Sequence, residues 1–343
     1  MDQKMNMEEL LLRPAFSVEN GRITRINREA GKYFLEEGMP IGPLIAAGQE
    51  EYESFQAGVL SLTLCIQGQN VAASVQHTGQ GQLFILEQEQ QDAYLQSMAL
   101  AAQELRGPLA GMMATIERSE NSDSQLNRRM YQMLRIIGNM SDAGRYRAGQ
   151  GAVLEIRDVT MLMQEIFDRS SDLISHAGLT LTFQNLNAPV DCLVDSEKLE
   201  RAVLNILSNA IKFTPKGGTI DCSLTKKGNL LVLQVQDSGS GIPDAIRGNI
   251  HSRYQRQPGI EDGRFGIGLG MVLIRSAASI HGGTVLIDQP EGSGTRITMT
   301  MAIRKNPSGN LRSNVLRVDY SGERDHGLVE LSESLPAFLY EQN

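Results

Sequence analysis

The longest hydrophobic pattern in the chain runs through residues 94–116 and has the spacing of an amphipathic helix. Its apolar positions alternate steps of three and four residues, which is the heptad spacing of helices that pack along one seam. The seam consists of Leu95, Met98, Ala102, Leu105, Leu109, Met112 and Ile116. Gln103 and Gly107 fall on the outward face, one above the other. Pro108 lies inside the helix and predicts a kink, because proline removes a backbone donor.

A second helix with the same spacing is predicted from Leu126 onward, after a polar loop at 119–125. Its apolar positions are Met130, Met133, Ile137 and Met140. Two helices joined by a short loop form an antiparallel hairpin, and two hairpins would bury both seams in a four-helix bundle. We therefore expect a homodimer through residues 92–145. The alternative is a single hairpin that packs on another domain of the same chain.

The N-terminal part of the chain alternates short strand-like runs with turns, which predicts an α+β module with an antiparallel sheet. The predicted strands are 15–18, 22–26, 60–66, 70–76 and 82–86, with a short helix at 28–35. The opening, with a strand, a turn that ends in Gly21, a strand that ends at Asn27 and a helix that starts Arg-Glu-Ala, resembles a PAS sensor domain. The alternative is a small dimerisation module without a sensing role.

From Val153 the pattern predicts a two-layer α/β sandwich, with helices on one face of a mixed sheet. The predicted helices are 158–176 and 196–213, and the predicted strands are 180–184, 191–194, 218–225, 230–237 and 295–303. The chain thus divides into 1–86, 87–149, 150–304 and a C-terminal part, 305–343, and its fold class is multidomain α+β. We expect the C-terminal part to be an ordered appendage on the sandwich, with a strand at 314–320 and a helix at 328–340; disorder is the alternative.

Composition narrows the possible partners. The net charge of −8 over 343 residues, without a basic stripe, argues against nucleic acid. Cys65, Cys192 and Cys222 are widely spaced and match no metal-binding pattern, which predicts inert thiols in a reducing compartment. The sequence contains no apolar run long enough to span a membrane and no signal-peptide core at its start. We therefore expect a cytoplasmic location and no membrane span.

Three segments of the sandwich carry groups suited to a nucleotide. Asn205, Asn209 and Lys212 share one helix; carboxamide oxygens can ligate Mg²⁺, and an ammonium group can meet phosphate oxygens. Asp237 ends a strand and is followed by Gly239 and Gly241, so a carboxylate can accept the amine of an adenine while the glycines admit its ring.

The third segment is Gly266, Gly268 and Gly270 before a helix, where free backbone N–H groups can hold phosphate. The polar run before it, residues 255–264, suggests a lid. Each segment alone also has an ordinary structural explanation, as a helix cap, a turn or a tight loop.

In this order the three segments resemble the ATP-binding domain shared by sensor histidine kinases, DNA gyrase, Hsp90 and MutL. Thr295 resembles the threonine that begins the last strand of that domain, near the adenine. Asn205 favours the kinase branch, since the gyrase-like ATPases have a glutamate there. The resemblance implies ATP and Mg²⁺ as cofactors, with Asn209 and Asn205 as metal ligands, and a response regulator receiver domain as a partner.

The segment from Ala102 to Leu109 resembles the phosphoacceptor box of the kinase dimerisation helix. Gln103 stands where the family has the histidine that attacks the γ-phosphate, and Glu104 is the neighbouring acid. Gly107 stands where the family usually has a residue that positions a water molecule. A carboxamide nitrogen is delocalised into its carbonyl group and is not a nucleophile. The sequence therefore favours a two-component signalling pseudokinase that binds Mg-ATP. A kinase acting on a partner in trans and a nucleotide-independent scaffold remain alternatives.

Overall fold

A computed structural model of the chain describes residues 13–79, 81–87, 90–117, 123–147, 152–185, 188–241, 269–290, 294–305 and 324–341. The predicted lid at 255–264, the glycines Gly266 and Gly268, and the predicted strand at 314–320 lie outside the described residues. None of the helices within the described ranges combines the length and the apolarity needed to cross a bilayer.

The N-terminal module is an antiparallel sheet with short helices, as its alternating pattern predicts. Its elements are β1 (Ala15–Glu19), β2 (Arg22–Ile26), α1 (Arg28–Gly31), β3 (Ile45–Ala47), α2 (Gln49–Ser54), β4 (Val59–Ile66), β5 (Gln69–Thr78) and β6 (Gly81–Leu86). Phe16 stacks on Phe84 in its core, with ring centroids 4.9 Å apart. The helix predicted at 28–35 is wrong in length, because α1 buries only Ala30 and the chain turns at Phe34 with a φ of 58°.

The two amphipathic helices form the predicted hairpin, with α3 (Gln90–Glu117) continuing through Pro108 and α4 (Ser124–Arg147) packing along it. Each predicted seam is only partly buried within the chain. Ala102 and Leu109 of α3 are buried, and Met130 and Ile137 of α4 lie in the same cluster. The intervening seam residues are exposed: Leu105, Met112 and Met133. The hairpin therefore covers one side of its apolar stripe and leaves the other side uncovered.

The remaining elements form the predicted α/β sandwich, with bounds close to those expected. They are β7 (Glu155–Asp158), α5 (Val159–His176), β8 (Thr180–Asn185), β9 (Asp191–Val194), α6 (Ser196–Phe213), β10 (Thr219–Lys227), β11 (Leu230–Asp237), α7 (Leu269–Ile280), β12 (Val285–Asp288) and β13 (Arg296–Ala302). The sheet is antiparallel except where β8 runs parallel to β10, and β7 pairs with β9 in a separate two-stranded sheet. Its core contains the apolar face of α6, including Leu199, Val203 and Ile206.

The sheets of the N-terminal module and the sandwich are continuous, which the sequence pattern did not predict. Strand β4 pairs antiparallel with β12, with Ser61 opposite Val285 and Val59 opposite Ile287, and the combined order is β2-β1-β6-β5-β4-β12-β13-β11-β10-β8. A hydrogen bond of 2.7 Å from Thr300 Oγ1 to Glu51 Oε1 adds to this junction. The junction satisfies the backbone groups of what would otherwise be an exposed edge strand.

The C-terminal segment, residues 324–341, packs between the hairpin and the sandwich. It consists of α8 (His326–Glu330) and a 3-10 helix, Ala337–Tyr340, instead of the single helix predicted at 328–340. Pro336 precedes the second helix, and proline disfavours helical backbone in the residue before it. The segment contacts α4 as well as α5 and α6, whereas we expected an appendage on the sandwich alone.

Alanine substitution at Gly58 tests the strand junction. Gly58 has a φ of +88°, and an added Cβ would lie 2.2 Å from the carbonyl oxygen of Ile287. Gly68 has a similar φ of +78° but no heavy atom within 4 Å of that position. We expect Gly68→Ala to lower the free energy of unfolding by about 1–2 kcal/mol through backbone strain alone. Gly58→Ala should cost about 1–3 kcal/mol more, because it forces β4 and β12 apart.

Chemical denaturation measures both losses, and hydrogen exchange at residues 285–287 locates the effect of Gly58→Ala. If both variants lose the same free energy of unfolding and hydrogen exchange at β12 is unchanged, the contact between Gly58 and β12 does not support the junction as described.

Candidate functional site

Helix α6 carries three of the predicted site residues, and its start is fixed by hydrogen bonds. The Asp195 side chain caps the helix by accepting the backbone N–H of Lys198 at 3.1 Å and that of Val153 at 2.8 Å. The Asp195 N–H donates in turn to Nε2 of His281 at 3.0 Å, and His281 Nδ1 lies 2.7 Å from the Ala277 carbonyl oxygen. His281 therefore ties the end of α7 to the start of α6, which gives it a structural role.

Asn205 lies in the middle of α6 and is almost fully buried, with 1% of its surface exposed. Its Nδ2 donates to the Arg201 carbonyl oxygen at 2.8 Å and to Glu330 Oε2 at 3.3 Å. Its Oδ1 is buried without a hydrogen-bond partner among the described residues. Gly270 packs against this atom, since an added Cβ would lie 3.0 Å from Oδ1. The structure thus joins Asn205 to the first turn of α7 and leaves one carboxamide acceptor unused.

Asn209 and Lys212 follow on the next turn of α6 and differ in their contacts. Asn209 is half-buried, and within the described ranges its side chain makes no hydrogen bond. Lys212 Nζ lies 3.4 Å from Glu333 Oε2 of the C-terminal segment. An unbonded carboxamide and a partly shielded ammonium group suit a metal ion and phosphate oxygens, respectively.

Asp237 stands at the end of β11, where the turn before β13 closes over it. Its Oδ1 accepts the backbone N–H groups of Gly239 at 2.8 Å and Thr295 at 3.2 Å. Burial raises the pKa of Asp237, and these hydrogen bonds oppose the rise. Gly294 has a φ of +91°, and an added Cβ would lie 1.9 Å from the Asp237 carbonyl oxygen. The structure brings Asp237, Gly239 and Thr295 together.

Gly241 joins this group through the turn that follows β11. Its φ is +71°, and an added Cβ would lie 2.6 Å from Nε2 of Gln289, which follows β12. The Asp-Ser-Gly-Ser-Gly segment therefore packs as a tight turn between β11 and the end of β12.

The sequence interpretation missed a cluster of buried charges beside Asn205, which we call the Arg201 cluster. Arg201 is fully buried; its Nε lies 3.1 Å from Glu330 Oε1, its Nη2 donates to Asn139 Oδ1 at 2.8 Å, and its Nη1 pairs with Asp142. Arg135 adds a contact of 3.4 Å to Glu330. The sequence did contain a signal for this cluster: Arg201 interrupts the apolar face of α6, and a buried arginine needs acidic partners.

The predicted acceptor region of α3 is separate from these groups. Gln103, Glu104 and Gly107 are all exposed on α3. Neither Gln103 nor Glu104 makes a side-chain hydrogen bond to any other part of the chain that the structure describes. Gln103 and Gly107 are therefore exposed on α3, as the helical pattern predicts.

Comparison with known proteins supports this interpretation of the sandwich. Residues 194–305 match the family model of histidine kinase-, DNA gyrase B- and HSP90-like ATPases. This segment contains α6, β10, β11, α7, β12 and β13 and every predicted nucleotide-site residue. The sandwich is thus a mixed α/β ATP-binding domain of this type.

Histidine kinases are also found among the sequence relatives. The chain is 27% identical over 261 residues to hybrid signal transduction histidine kinase D of Dictyostelium discoideum, covering 70% of this chain and 16% of that protein. It is 29% identical over 237 residues to sensor histidine kinase TmoS of Ectopseudomonas mendocina, covering 64% of this chain and 24% of the relative. The chain thus spans a quarter or less of these relatives. Together with the family match, these relatives show that part of this chain is similar to histidine kinases.

Among solved structures, full-length ShkA in complex with AMPPNP is similar with a TM-score of 0.49 and 20% identity, covering 62% of this chain and 47% of ShkA. Histidine kinase ThkA in complex with response regulator TrrA has a TM-score of 0.42 and 16% identity, covering 85% of this chain and 96% of ThkA.

The contact between His281 and Asp195 predicts a pH dependence of stability. Burial lowers the pKa of His281, and only its neutral ring can accept the Asp195 N–H at Nε2. The unfolded state then binds more protons than the folded state below pH about 6.5, the ordinary histidine value. We expect the free energy of unfolding to fall as the pH drops below that value, towards the lowered pKa of the folded state.

His281→Gln should remove this part of the pH dependence and cost about 1–2 kcal/mol at pH 8. His176→Gln, at an exposed position of α5, is the control. Denaturation between pH 5 and pH 8 (on the order of one to two units on either side of the ordinary value) measures the effect. A pH profile of His281→Gln parallel to that of the unsubstituted protein would show that His281 does not titrate as described.

Proposed function

We propose that this protein is a two-component signalling pseudokinase, which binds Mg-ATP without forming phosphohistidine on α3. The observation that carries this proposal is the separation of two features. Gln103 occupies an exposed position on α3, where it offers no nucleophile. Asn209, Lys212 and Asp237 keep the groups that suit a metal ion, phosphate and adenine. The ATP-binding domain thus keeps groups suited to the nucleotide, whereas α3 has lost the side chain that would accept its phosphate.

The nucleotide fits the groups of the ATP-binding domain. Asp237 can accept the adenine amine, because its backbone contacts use Oδ1 and leave Oδ2 for a ligand. Asn209 offers an unbonded carboxamide for Mg²⁺, and the unpaired Oδ1 of Asn205 offers a second oxygen. Lys212 supplies a positive charge for phosphate oxygens. When bound, Mg-ATP would supply a γ-phosphoryl group with no imidazole on α3 to receive it.

The proposed signalling role assigns a task to the other parts of the chain. The N-terminal module, with its own core, serves as a PAS-like sensor module. The exposed face of α3 that carries Glu104 and Gly107 is the proposed docking surface for the receiver domain of a response regulator. The nucleotide state of the ATP-binding domain sets the shape of the helical bundle.

The proposal also includes a homodimer through the hairpin. Leu105 and Met112 of α3 are each 49% exposed, and Met133 of α4 is 38% exposed. These residues belong to the predicted seams, and they line the side of the stripe that the hairpin leaves uncovered. A second hairpin would bury them in a four-helix bundle.

Labelling with γ-labelled Mg-ATP tests the loss of acceptor chemistry. We expect calorimetry to detect Mg-ATP binding that Asp237→Asn weakens at least about tenfold, because a carboxamide replaces the acceptor of the adenine amine. We expect no acid-labile, base-stable label on the unsubstituted protein. Gln103→His restores the nucleophile and is the positive control.

Each departure from this result identifies a different function. Acid-labile label on the unsubstituted protein would contradict a pseudokinase. Label on a co-purified partner that Asn209→Asp abolishes would identify a kinase acting in trans. Absence of Mg-ATP binding would leave a scaffold.

Charge substitutions in the exposed half of the seam test the dimer. The combined variant Leu105→Lys and Met112→Lys should shift the protein towards its monomer mass of 37.6 kDa, because burying two ammonium groups costs more than the apolar contact gains. Ala110→Lys introduces one such charge at an exposed, non-seam position of α3 and should leave the mass unchanged. Light scattering after size exclusion measures both masses. A monomeric unsubstituted protein would refute the homodimer.

A further inference from the structure

The C-terminal segment places two carboxylates against polar groups of two proposed site residues of α6. Glu330 Oε2 lies 3.3 Å from Asn205 Nδ2, and Glu333 Oε2 lies 3.4 Å from Lys212 Nζ. The two acidic residues are three positions apart in the segment, and both also contact Arg135 of α4. The segment therefore presents anionic oxygens where nucleotide phosphates would present theirs.

The contact at Asn205 also blocks access. Asn205 is 1% exposed and Glu330 is fully buried, so Glu330 covers the Nδ2 side of this carboxamide while the segment is in place. Glu330 is held there by two guanidinium groups, those of Arg201 and Arg135, at 3.1 and 3.4 Å. A phosphate oxygen could therefore reach Asn205 Nδ2 only if Glu330 moved away.

The contact at Lys212 is more open. Glu333 is also paired with Arg135 Nη1 at 3.1 Å. A cleft of about 510 Å³ adjoins this contact, between α4, the end of α6 and the C-terminal segment. Its lining includes Arg128, Arg129 and Lys212 as cations and Glu333 as the one carboxylate. A phosphate group could enter this cleft and compete with Glu333 for Lys212.

Side chains of α4 bind the backbone of the C-terminal segment. Arg128 donates from Nε to the Ser332 carbonyl oxygen at 3.0 Å and from Nη2 to the Glu333 carbonyl oxygen at 2.8 Å. Gln132 donates to the Ser332 oxygen at 3.1 Å, and Asn127 donates to the Tyr340 oxygen at 2.9 Å. These contacts depend on the docked position of the segment and not on its side chains. Displacement of the segment from α6 would therefore also disturb its contacts with a bundle helix.

We propose that residues 324–341 act as an intramolecular competitor of the phosphates of Mg-ATP, with Glu333 and Glu330 occupying Lys212 and Asn205 when the nucleotide is absent. This inference rests on the proposed function. Nucleotide binding and docking of the segment on α4 exclude each other, and the coupling is reciprocal, so a partner that removes the segment from α4 strengthens nucleotide binding. The segment thereby links the nucleotide site to the bundle.

Glu333→Gln in the full chain tests the competition at its accessible end. The carboxamide keeps the size of the side chain and removes the charge that opposes phosphate at Lys212. Calorimetry should show Mg-ATP binding about fivefold tighter than in the unsubstituted protein, as expected for loss of a partly exposed ion pair. Binding of adenosine, which carries no phosphate, should not change.

Glu341→Gln is the matched control. It makes the same change of charge in the same segment, at an exposed position with no described side-chain contact to α6. Its affinity for Mg-ATP should equal that of the unsubstituted protein. A gain equal to that of Glu333→Gln would show a general charge effect and overturn the competition.

Hydrogen exchange provides the second measurement. Saturating Mg-ATP should increase exchange at the amides of Leu331 and Leu335, which both donate to backbone oxygens within the segment, and adenosine should not. Equal Mg-ATP affinities in all three proteins, with unchanged exchange, would overturn the competition and leave the proposed function intact. If neither the unsubstituted protein nor Glu333→Gln binds Mg-ATP, both the competition and the proposed function are overturned.

Discussion

The fully buried guanidinium of Arg201 is the constraint on which the arrangement of the helical layers depends. A buried arginine is tolerated only when acidic and polar groups surround it, and here those groups come from different parts of the chain. Asp142 and Asn139 come from α4, and Glu330 comes from the C-terminal segment. Removing one partner of a buried ion pair typically costs about 3–5 kcal/mol, so α4, α6 and the segment are held as one unit.

A second connection holds the opposite side of the ATP-binding domain. There β4 extends the sheet at β12, and Arg275 of α7 pairs with Glu87 at 2.9 Å, both side chains being mostly buried. The domain is therefore contacted by the N-terminal module along its sheet edge and by the hairpin on its helices. Both connections reach α7 or its neighbours, since Met98 and Met140 of the hairpin pack with Leu269 and Leu273. A change in the nucleotide site has short physical routes to both modules.

The chemistry of the proposed site follows from what each residue can and cannot contribute. Asp237 is fixed by two backbone N–H groups, so the turn that holds it is already arranged without a ligand. Asn205 and Lys212 are arranged differently, because carboxylates of the same chain meet them. Under the proposed function, the adenine end of the site is preformed, whereas at its other end carboxylates of the same chain compete with phosphate. Loss of the acceptor at Gln103 then leaves nucleotide binding free to serve as a conformational signal.

The sequence by itself determined most of the local elements and supplied the residues of the proposed nucleotide site. Helix α6 spans Ser196–Phe213, the range predicted from its apolar period, because that period is set by neighbouring residues of one element. Three short strands were not predicted: β3, β7 and β12 have three or four residues, which is too few for a period to be recognised. The sequence pattern predicted the apolar seams of the hairpin, but it did not predict which seam residues are buried within one chain.

Only the tertiary structure decided how these parts meet. The pairing of β4 with β12 depends on backbone groups that every sequence shares, so no side-chain pattern announces it. The charges of Arg201 and Glu330 are 129 positions apart along the chain, and their pairing required the fold to bring them within 3.1 Å. Sequence patterns report contacts within one element, whereas the occupant of a site can come from any part of the chain. For this reason the sequence supplied the nucleotide groups, and the structure supplied the acidic segment that lies on them.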